Sequence, residues 1–142
     1  MESYYLKENL NVMGFQVKTF PEGIGEAFDA FMEVLPGALD RAYYGISYVT
    51  NQGIVYLATA VENYAGEAEQ YNYERYFIEK GEYHTVTVKD WTKKTHTIKD
   101  VFAEMLPNHC PDKLRPCVEW YKNDEEMLCM VRKENQDVGV SK

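Results

Sequence analysis

Apolar and polar residues alternate along two segments of the chain that lie 71 residues apart. The segments NVMGFQVKTF (residues 11–20) and EYHTVTVKDW (residues 82–91) align at this shift, and both keep the alternation. A period of two residues is typical of a strand that buries one face. The pattern therefore predicts that each segment is the first strand of a repeated unit.

Each predicted strand is followed by a segment in which apolar residues recur every three or four positions. This spacing gives an α-helix one apolar stripe, which predicts that each helix lies on a sheet. The segments end as FMEVLP and FAEMLP, with Leu35 and Leu106 directly before proline. Because the residue before proline is pushed out of the α region, we expect the helices to end at these leucines.

Two apolar segments joined by a turn signal follow each predicted helix. The signals are NQG at 51–53 and ND at 123–124, residues that supply the φ angles of hairpin turns. Each half thus reads strand, helix, strand, strand, over about residues 10–61 and 74–133. The fold class that follows is α+β, a tandem duplication with an antiparallel sheet and helices on one face. Between the halves, the tyrosine-rich segment from Tyr71 or Tyr73 to Ile78 predicts an added or extended strand.

The chain has 142 residues, of which 45% are hydrophobic, a composition that suits one globular domain of ~100–150 residues. We expect this single domain to span residues 1–133. The last segment, ENQDVGVSK (134–142), lacks periodicity and is predicted to be a disordered tail. No apolar run approaches the ~20 residues of a membrane helix, and the N-terminus lacks a secretory signal. We therefore expect a cytoplasmic protein without membrane association.

The charge and the motifs of the chain exclude several classes of function. A net charge of -8 argues against binding of a nucleic-acid backbone, which needs clustered Lys and Arg. Three cysteines without a CxxC pair suit reduced thiols, and the histidines lack metal-site spacing. No nucleophile elbow, phosphate loop or dinucleotide fingerprint occurs. We expect no metal, no cofactor and no direct contact with nucleic acid, and the sequence assigns no catalytic residue.

The segment CVEWYKND (117–124) places a carboxylate in a strand that otherwise reads as core. With the turn at 123–124, Trp120 is expected opposite Met127, and Glu119 opposite Leu128. Because successive side chains alternate, two faces follow. The set expected to face the second helix is Val118, Trp120, Met127 and Cys129. The set expected to line a partly closed cleft, where a carboxylate is less costly than in a sealed core, is Cys117, Glu119, Tyr121, Leu128 and Met130.

The first half carries no charge at the position that corresponds to Glu119. At a shift of 72 residues, Ser47 matches Glu119 and Tyr56 matches Leu128. A requirement of the fold therefore does not explain the carboxylate, because the duplicated position lacks it. Trp91 takes the place of Phe20 at the end of the first strand, where it is either a wall of the cleft or a structural plug.

Two motifs resemble one family. The run FIEKGEYHTVTV (77–88) resembles the strand, turn, Gly-x-Tyr, strand segment of the GyrI-like small-molecule-binding domains, and CVEWYKND resembles their Glu-x-Tyr motif followed by an Asn-Asp turn. These domains also form the effector-binding part of AraC-type and multidrug-responsive bacterial transcription regulators. The resemblance runs from about Leu10 to Lys133 and departs from the family at Glu79-Lys80, where proline is usual. It implies repeats related by a pseudo-twofold axis, with a ligand in the groove between them.

The resemblance also implies a function and a site. It implies that Glu119 contacts the ligand, that Tyr121 is the tyrosine following it, and that Tyr83 is the Gly-x-Tyr tyrosine. We therefore expect a stand-alone domain that binds a small drug-like molecule, aromatic or amphipathic, with a cationic group as one option. The candidate ligand-binding residues are Glu119, Tyr121, Tyr83, Tyr56, Cys117, Leu128, Met130, Ser47 and Trp91.

Two other functions fit the same resemblance. One is a hydrolase of reactive, drug-like natural products, in which Glu119 acts as a general base and Tyr83 or Tyr121 as a proton donor. The other is an inhibitor of the gyrase-inhibitor type that binds a protein, which the acidic charge permits. A protein partner and the oligomeric state stay open in the sequence.

Overall fold

The computed structural model describes residues 2–20, 22–93, 97–105, 116–123 and 125–133, with the backbone alone at residues 99, 102, 103 and 105. Within these residues the chain forms eight β-strands, three α-helices and two short 3-10 helices. The strands are β1 (Glu2–Leu6), β2 (Leu10–Gln16), β3 (Tyr43–Thr50), β4 (Gly53–Val61), β5 (Glu74–Ile78), β6 (Gly81–Lys89), β7 (Cys117–Tyr121) and β8 (Glu126–Arg132). The helices are α1 (Ile24–Val34), α2 (Glu67–Gln70) and α3 (Ile98–Met105), and the 3-10 helices are Ala38–Asp40 and Trp91–Lys93.

The eight strands form one sheet in the order β1-β6-β8-β7-β3-β4-β2-β5, and every neighbouring pair is antiparallel. Strands β3 and β7 lie side by side at the centre, so the strands of the two predicted halves join in a single sheet. Strands β1 and β5 lie at its edges. The predicted α+β class with an antiparallel sheet is confirmed at this level, with strands dominating the fold.

Several predicted elements lie where the sequence pattern placed them. Helix α1 ends at Val34, and Leu35 is extended with a ψ angle of 133°, as the position before proline requires. The turn between β3 and β4 lies at residues 51–52, and β5 is the added strand. The predicted helix end at Leu106 and the predicted tail at 134–142 lie outside the described residues.

The two faces of the sheet are covered differently. On one face, Ala27 and Phe31 of α1 and Ile98 of α3 pack into buried clusters, and Tyr121 of β7 packs against both clusters. Both helices therefore lie over the same face, which we call the helix-covered face. The described helices contribute nothing to the cluster on the opposite, helix-free face. Val118 of that face is nevertheless only 1% exposed, which requires that the sheet curls around it.

The register in which β7 pairs with β8 differs by one residue from the predicted register. Glu119 lies opposite Cys129, not Leu128, and Trp120 lies opposite Leu128, not Met127. Because side chains alternate, a slip of one residue exchanges the faces of a strand. The predicted faces of β7 are therefore wrong: Glu119 shares the helix-covered face, and Trp120 packs on the helix-free face.

The slip originates in the turn between these strands. The sequence pattern placed a two-residue turn at 123–124. In the structure Tyr121 pairs with Met127, and the backbone N–H of Lys122 donates to the carbonyl of Glu126, so the turn is one residue longer than predicted. Asn123 stabilises this longer turn, because its Oδ1 accepts the backbone N–H groups of Glu125 and Glu126, both at 2.8 Å. The length of a hairpin loop sets the register of its strands, so the longer turn changes which residues of β8 meet β7.

A buried ion pair holds α2, a short helix that the sequence pattern did not predict. The two Nη atoms of Arg41 donate to the two carboxylate oxygens of Glu67 at 2.7 and 3.0 Å, and both side chains are buried. Arg41 also donates to the carbonyls of Val61 at 2.9 Å and Pro36 at 2.8 Å. The backbone N–H of Asn63 completes the contacts of Glu67 at 2.8 Å. These bonds tie α2 to the end of β4.

Candidate functional site

Glu119 lies in the middle of β7, between β3 and β8 at the centre of the sheet. The residue is 9% exposed. Its Oε1 accepts the hydroxyl of Tyr121 at 2.5 Å and that of Tyr56 at 2.7 Å. Among the described residues, no hydrogen bond is made to Oε2. The carboxyl group therefore has one oxygen with two donors and one oxygen without a protein partner in this part of the chain.

Gly45 leaves the space that this cluster occupies. It is the partner of Glu119 across β3 and β7. A Cβ atom at position 45 would lie 2.1 Å from the hydroxyl oxygen of Tyr56 and 2.7 Å from Oε1 of Glu119. Both distances are far below van der Waals contact, and glycine within a strand often marks such a close approach. Only glycine fits at position 45 unless the hydroxyl of Tyr56 and the carboxyl group of Glu119 move.

Aromatic rings surround the two tyrosines. Phe20 stacks on Tyr56, with ring centroids 5.0 Å apart and planes inclined by 12°. Phe28 of α1 and Trp91 contact the ring of Tyr121 at centroid distances of 5.1 and 4.9 Å. These distances are favourable for aromatic pairs. The carboxyl group thus lies among apolar rings that come from well-separated parts of the chain.

The titration of the site is dominated by burial. Burial raises the pKa of Glu119, although the hydrogen bonds from Tyr121 and Tyr56 offset part of this effect. Burial and the negative charge of Glu119 raise the pKa values of both tyrosines well above their ordinary value. The same two causes raise the pKa values of Cys117 and Cys129 to about 12. Glu119 is therefore the acidic group of a cluster whose phenols and thiols stay protonated at neutral pH.

The two buried glutamates of the described residues are compensated in different ways. Glu67 pairs with the guanidinium group of Arg41, whereas no lysine or arginine of the described residues pairs with Glu119. A buried carboxylate without a cation is costly, because hydrogen bonds alone replace only part of its hydration. Among the described residues the site therefore lacks a cation that would offset the charge of this carboxylate.

Six of the nine candidate ligand-binding residues lie on one face of the sheet. Ser47 is the strand partner of both Tyr56 and Cys117, and Trp91 contacts Tyr121. That these residues bind a ligand stays a prediction. The six on the helix-covered face are Glu119, Tyr121, Tyr56, Cys117, Ser47 and Trp91.

The other three candidates lie on the helix-free face. Tyr83, Leu128 and Met130 belong to the buried cluster of that face, so the prediction that they share a cleft with Glu119 is wrong. For Leu128 and Met130 the cause is the slip between β7 and β8. Tyr83 lies on the face of β6 opposite to Val86, which packs on the helix-covered side.

Three residues of the site were missed in the sequence. The sequence contained a signal that could have identified Phe20 as a site residue, because Phe20 is the duplicated counterpart of the candidate Trp91. Gly45 also had one, since an isolated glycine in a strand pattern suggests a close approach of another group. For Phe28 the sequence contained no such signal beyond its place in the apolar stripe of α1.

The described residues contain no group of three or more His, Cys, Asp or Glu that could hold a metal ion. Cys117 and Cys129 are buried free thiols. Two of the three histidines, His96 and His109, and the third cysteine, Cys110, lie outside the described residues. No helix in the described part of the chain is long and apolar enough to cross a membrane.

Comparison with known proteins shows similarity of structure only. No family model and no curated protein matches the sequence. An integron cassette protein from the mobile metagenome of Vibrio cholerae has a similar solved structure, with a TM-score of 0.62 and 15% identity over 93% of this chain and 99% of that chain. A hydrolase from Listeria innocua is also similar, with a TM-score of 0.51 and 11% identity over 92% of this chain and 89% of that chain. At these identities the likeness shows the fold alone.

Proposed function

We propose that the helix-covered face binds a small amphipathic molecule that carries an aromatic body and a cationic or hydrogen-bond-donating group. The observation that carries this proposal is the carboxyl group of Glu119: it is buried, it receives two phenol donors on one oxygen, and it has no cation among the described residues. An anion in a site of low dielectric constant attracts a cation more strongly than it would in water. The rings of Phe28 and Trp91 supply apolar surface of the kind that lines ligand pockets.

We also infer that the fold is a tandem duplication with the groove between its halves. A shift of 72 residues converts the strand pair Gly45–Glu119 into the pair Cys117–Ser47, and both are pairs of the central β3–β7 contact. The strand order, read from either end, likewise exchanges β1 with β5 and β6 with β2. Both features support a pseudo-twofold axis between β3 and β7. Such an axis relates Glu119 to Ser47, so the groove has one acidic anchor.

The resemblance to GyrI-like domains supports the same function. Its Glu-x-Tyr motif supplies Glu119 and Tyr121, which share one hydrogen bond. The class of protein that we propose is therefore a relative of the effector-binding domains of bacterial transcription regulators.

Hydrolysis is a second candidate function, and the protonation of the site favours it. A carboxyl group with a raised pKa beside two protonated phenols is suited to general acid–base catalysis. One structural neighbour is described as a hydrolase, although the fold by itself implies no activity. Mass spectrometry of a bound compound after incubation separates the two functions, because binding returns it intact and hydrolysis adds water.

The binding proposal is tested with pairs of planar aromatic compounds that differ only in a trimethylammonium group or a neutral tert-butyl group. We expect the cationic member of a pair to bind more tightly to the wild-type protein. Glu119→Gln is expected to weaken its binding by about tenfold or more, the effect of losing one charged partner. Isothermal titration calorimetry measures both affinities.

The matched control is Glu125→Gln, which makes the same change of charge at an exposed position of the turn. It should leave both affinities within about twofold of wild type, because exposed charges are screened. Equal affinity of wild type and Glu119→Gln for every cationic compound would remove Glu119 from the site and overturn the proposal.

A further inference from the structure

A cavity of about 1000 Å³ lies on the helix-free face, on the other side of the sheet from Glu119. Its lining residues come from β2, β3, β4, β5, β6, β7 and β8. Ligand pockets of small molecules have volumes of roughly 300–1,000 Å³ and are common at the mouths of curled sheets. The cavity is therefore large enough for a ligand of its own.

The lining of the cavity is amphipathic. Ile46, Leu57 and Val118 contribute buried apolar surface, and Tyr48 and Tyr76 contribute aromatic surface. The hydroxyl of Tyr76 donates to Glu74 at 2.9 Å. The hydroxyl of Tyr48 makes no hydrogen bond among the described residues. An apolar lining with a few polar groups is what orients a ligand that has an apolar body and one polar end.

Tyr83 belongs to this lining as well. It carries the Gly-x-Tyr motif, yet it lies away from Glu119, and its hydroxyl donates to the backbone carbonyl of Glu79. Burial raises the pKa of Tyr83 to about 12, so the phenol is neutral at neutral pH. The motif therefore contributes an uncharged aromatic wall here and no acidic group.

The charges at the cavity favour an anion. Three cationic residues, Lys18, Arg75 and Arg132, line it together with two acidic ones, Glu74 and Glu79. The lining thus carries one net positive charge, in a chain with a net charge of -8.

The positive charges of the lining are compensated unequally. Arg75 pairs with Glu62 at 3.0 Å, and the side chain of Arg75 stays 47% exposed. Arg132 lies 3.8 Å from Glu79. Lys18 is exposed and forms no ion pair with the described residues, so its charge is available to a ligand.

We propose that this cavity is a second binding site, which takes an amphipathic anion. The apolar body lies against Ile46, Leu57 and the tyrosines, and the anionic head lies near Lys18. The site differs from that at Glu119 in both position and charge, since a buried carboxyl group repels the same ligand. This proposal holds independently of the function proposed for the helix-covered face.

The test compares two ligands with the same dodecyl chain, dodecanoate and dodecyltrimethylammonium, by isothermal titration calorimetry below their micellar concentrations. We expect dodecanoate to bind with one molecule per chain and with higher affinity than the cation at this site. Val55 is half-buried, lines the cavity and is the strand partner of Tyr48. Val55→Trp places a large side chain in the cavity and should weaken dodecanoate binding by more than about tenfold. Lys18→Glu should weaken it by about fivefold, since it reverses one exposed charge.

Two variants serve as controls. Lys7→Glu makes the same charge reversal at an exposed lysine outside the lining and should leave the affinity unchanged. Glu119→Gln should also leave dodecanoate binding unchanged. Because Lys18 is exposed, the comparison of Lys18→Glu with Lys7→Glu decides the matter even where Val55→Trp does not fold.

Three results would overturn the proposal. Absence of dodecanoate binding to the wild-type protein removes the site. Equal effects of Lys18→Glu and Lys7→Glu, or an unchanged affinity in folded Val55→Trp, place the ligand elsewhere. An affinity for dodecanoate that changes in Glu119→Gln, in either direction, assigns the ligand to the helix-covered face instead.

Discussion

At the scale of single residues, the central feature is the contrast between two buried glutamates. Glu67 meets a guanidinium group and a backbone N–H group, which satisfy its charge within the chain. Glu119 meets two phenols that share one of its oxygens. Structural ion pairs have the first pattern, whereas binding sites often keep a group whose partner comes from outside. This contrast supports the binding role that we propose for Glu119.

Gly45 provides a test of the geometry around Glu119. We expect Gly45→Ala to lower the free energy of unfolding by about 1–3 kcal/mol, the cost of inserting a methyl group into a filled space. The methyl group must displace the hydroxyl of Tyr56 or the carboxyl group, because it would lie 2.1 Å from the former. Urea unfolding measures the loss, and a cationic aromatic ligand should bind more weakly to the variant.

Gly25→Ala is the matched control for this change. Gly25 lies in α1, and nothing lies within 4 Å of an added Cβ atom there. Alanine is favoured over glycine within a helix by up to ~1 kcal/mol, so this variant should be more stable than wild type. Were Gly45→Ala also as stable as wild type, the packing described for Tyr56 and Glu119 would be incorrect.

At the scale of elements, the hairpin of β7 and β8 determines which face carries the acidic group. Both strands were predictable from the sequence, since apolar periodicity and the turn residue Asn123 mark them. The register does not follow from the sequence, because a turn of two residues and a turn one residue longer fit the same residue pattern. Only the bonds made by the Asn123 side chain separate the two. One residue of loop length moves Glu119 to the opposite side of the sheet.

Asn123 is therefore expected to stabilise the hairpin. Asn123→Ala removes the acceptor of two backbone N–H groups and should lower the free energy of unfolding by ~1–2 kcal/mol. Asn123→Asp keeps an acceptor oxygen and should lose much less. The fluorescence of Trp91, whose Nε1 donates to the carbonyl of Asn123 at 2.8 Å, should change more in the alanine variant. Equal stability of the two variants would mean that these bonds do not hold the turn.

Other elements show where sequence patterns stop being informative. The strands and helices with an apolar period were predictable, because their burial repeats along the chain. Helix α2 was not, since four residues cannot show a helical period and its stability comes from Arg41, 26 residues away from Glu67 in sequence. The pairing of β1 with β6 is likewise a long-range contact. Glu119 could be identified from the sequence as a candidate site residue. Phe28 could not, because only the folded structure brings its ring into contact with Tyr121.

At the scale of the whole molecule, the two faces of one sheet differ in charge as well as in cover. The helix-covered face holds an acidic group that no cation of the described residues pairs with, and the cavity of the helix-free face carries one net positive charge in its lining. The central strands contribute to both surfaces, since Val118 and Glu119 are neighbours in β7 and face opposite ways.

The stability of the molecule should fall in acid because of Glu67. The hydrogen bond and charge of Arg41 lower the pKa of Glu67, so its contribution is complete above the unfolded value of about 4.3 and is lost as the pH falls through the lower, folded value. Glu67→Gln should cost ~3–5 kcal/mol at neutral pH, because it leaves Arg41 buried without its partner. Urea unfolding at a series of pH values measures this.

Glu69→Gln, at an exposed position of the same helix, is the comparison for Glu67→Gln. It should leave the free energy of unfolding within about 0.5 kcal/mol of wild type. If Glu67→Gln lost no more stability than Glu69→Gln at neutral pH, the ion pair with Arg41 would contribute nothing to the fold.

Glu119 should have the opposite effect on the pH dependence. Its pKa is raised by burial, so the folded protein binds more protons than the unfolded chain between about pH 4.3 and the higher, folded pKa. Stability contributed by this group therefore falls as the pH rises through that window. Glu119→Gln removes the charge while keeping an oxygen that accepts from Tyr56 and Tyr121. The variant should gain stability relative to wild type as the pH rises from 4 to 8, measured by urea unfolding in parallel series. A difference that stays constant over this range would mean that Glu119 is charged in the fold at no cost, and that its burial alone does not call for an external cation.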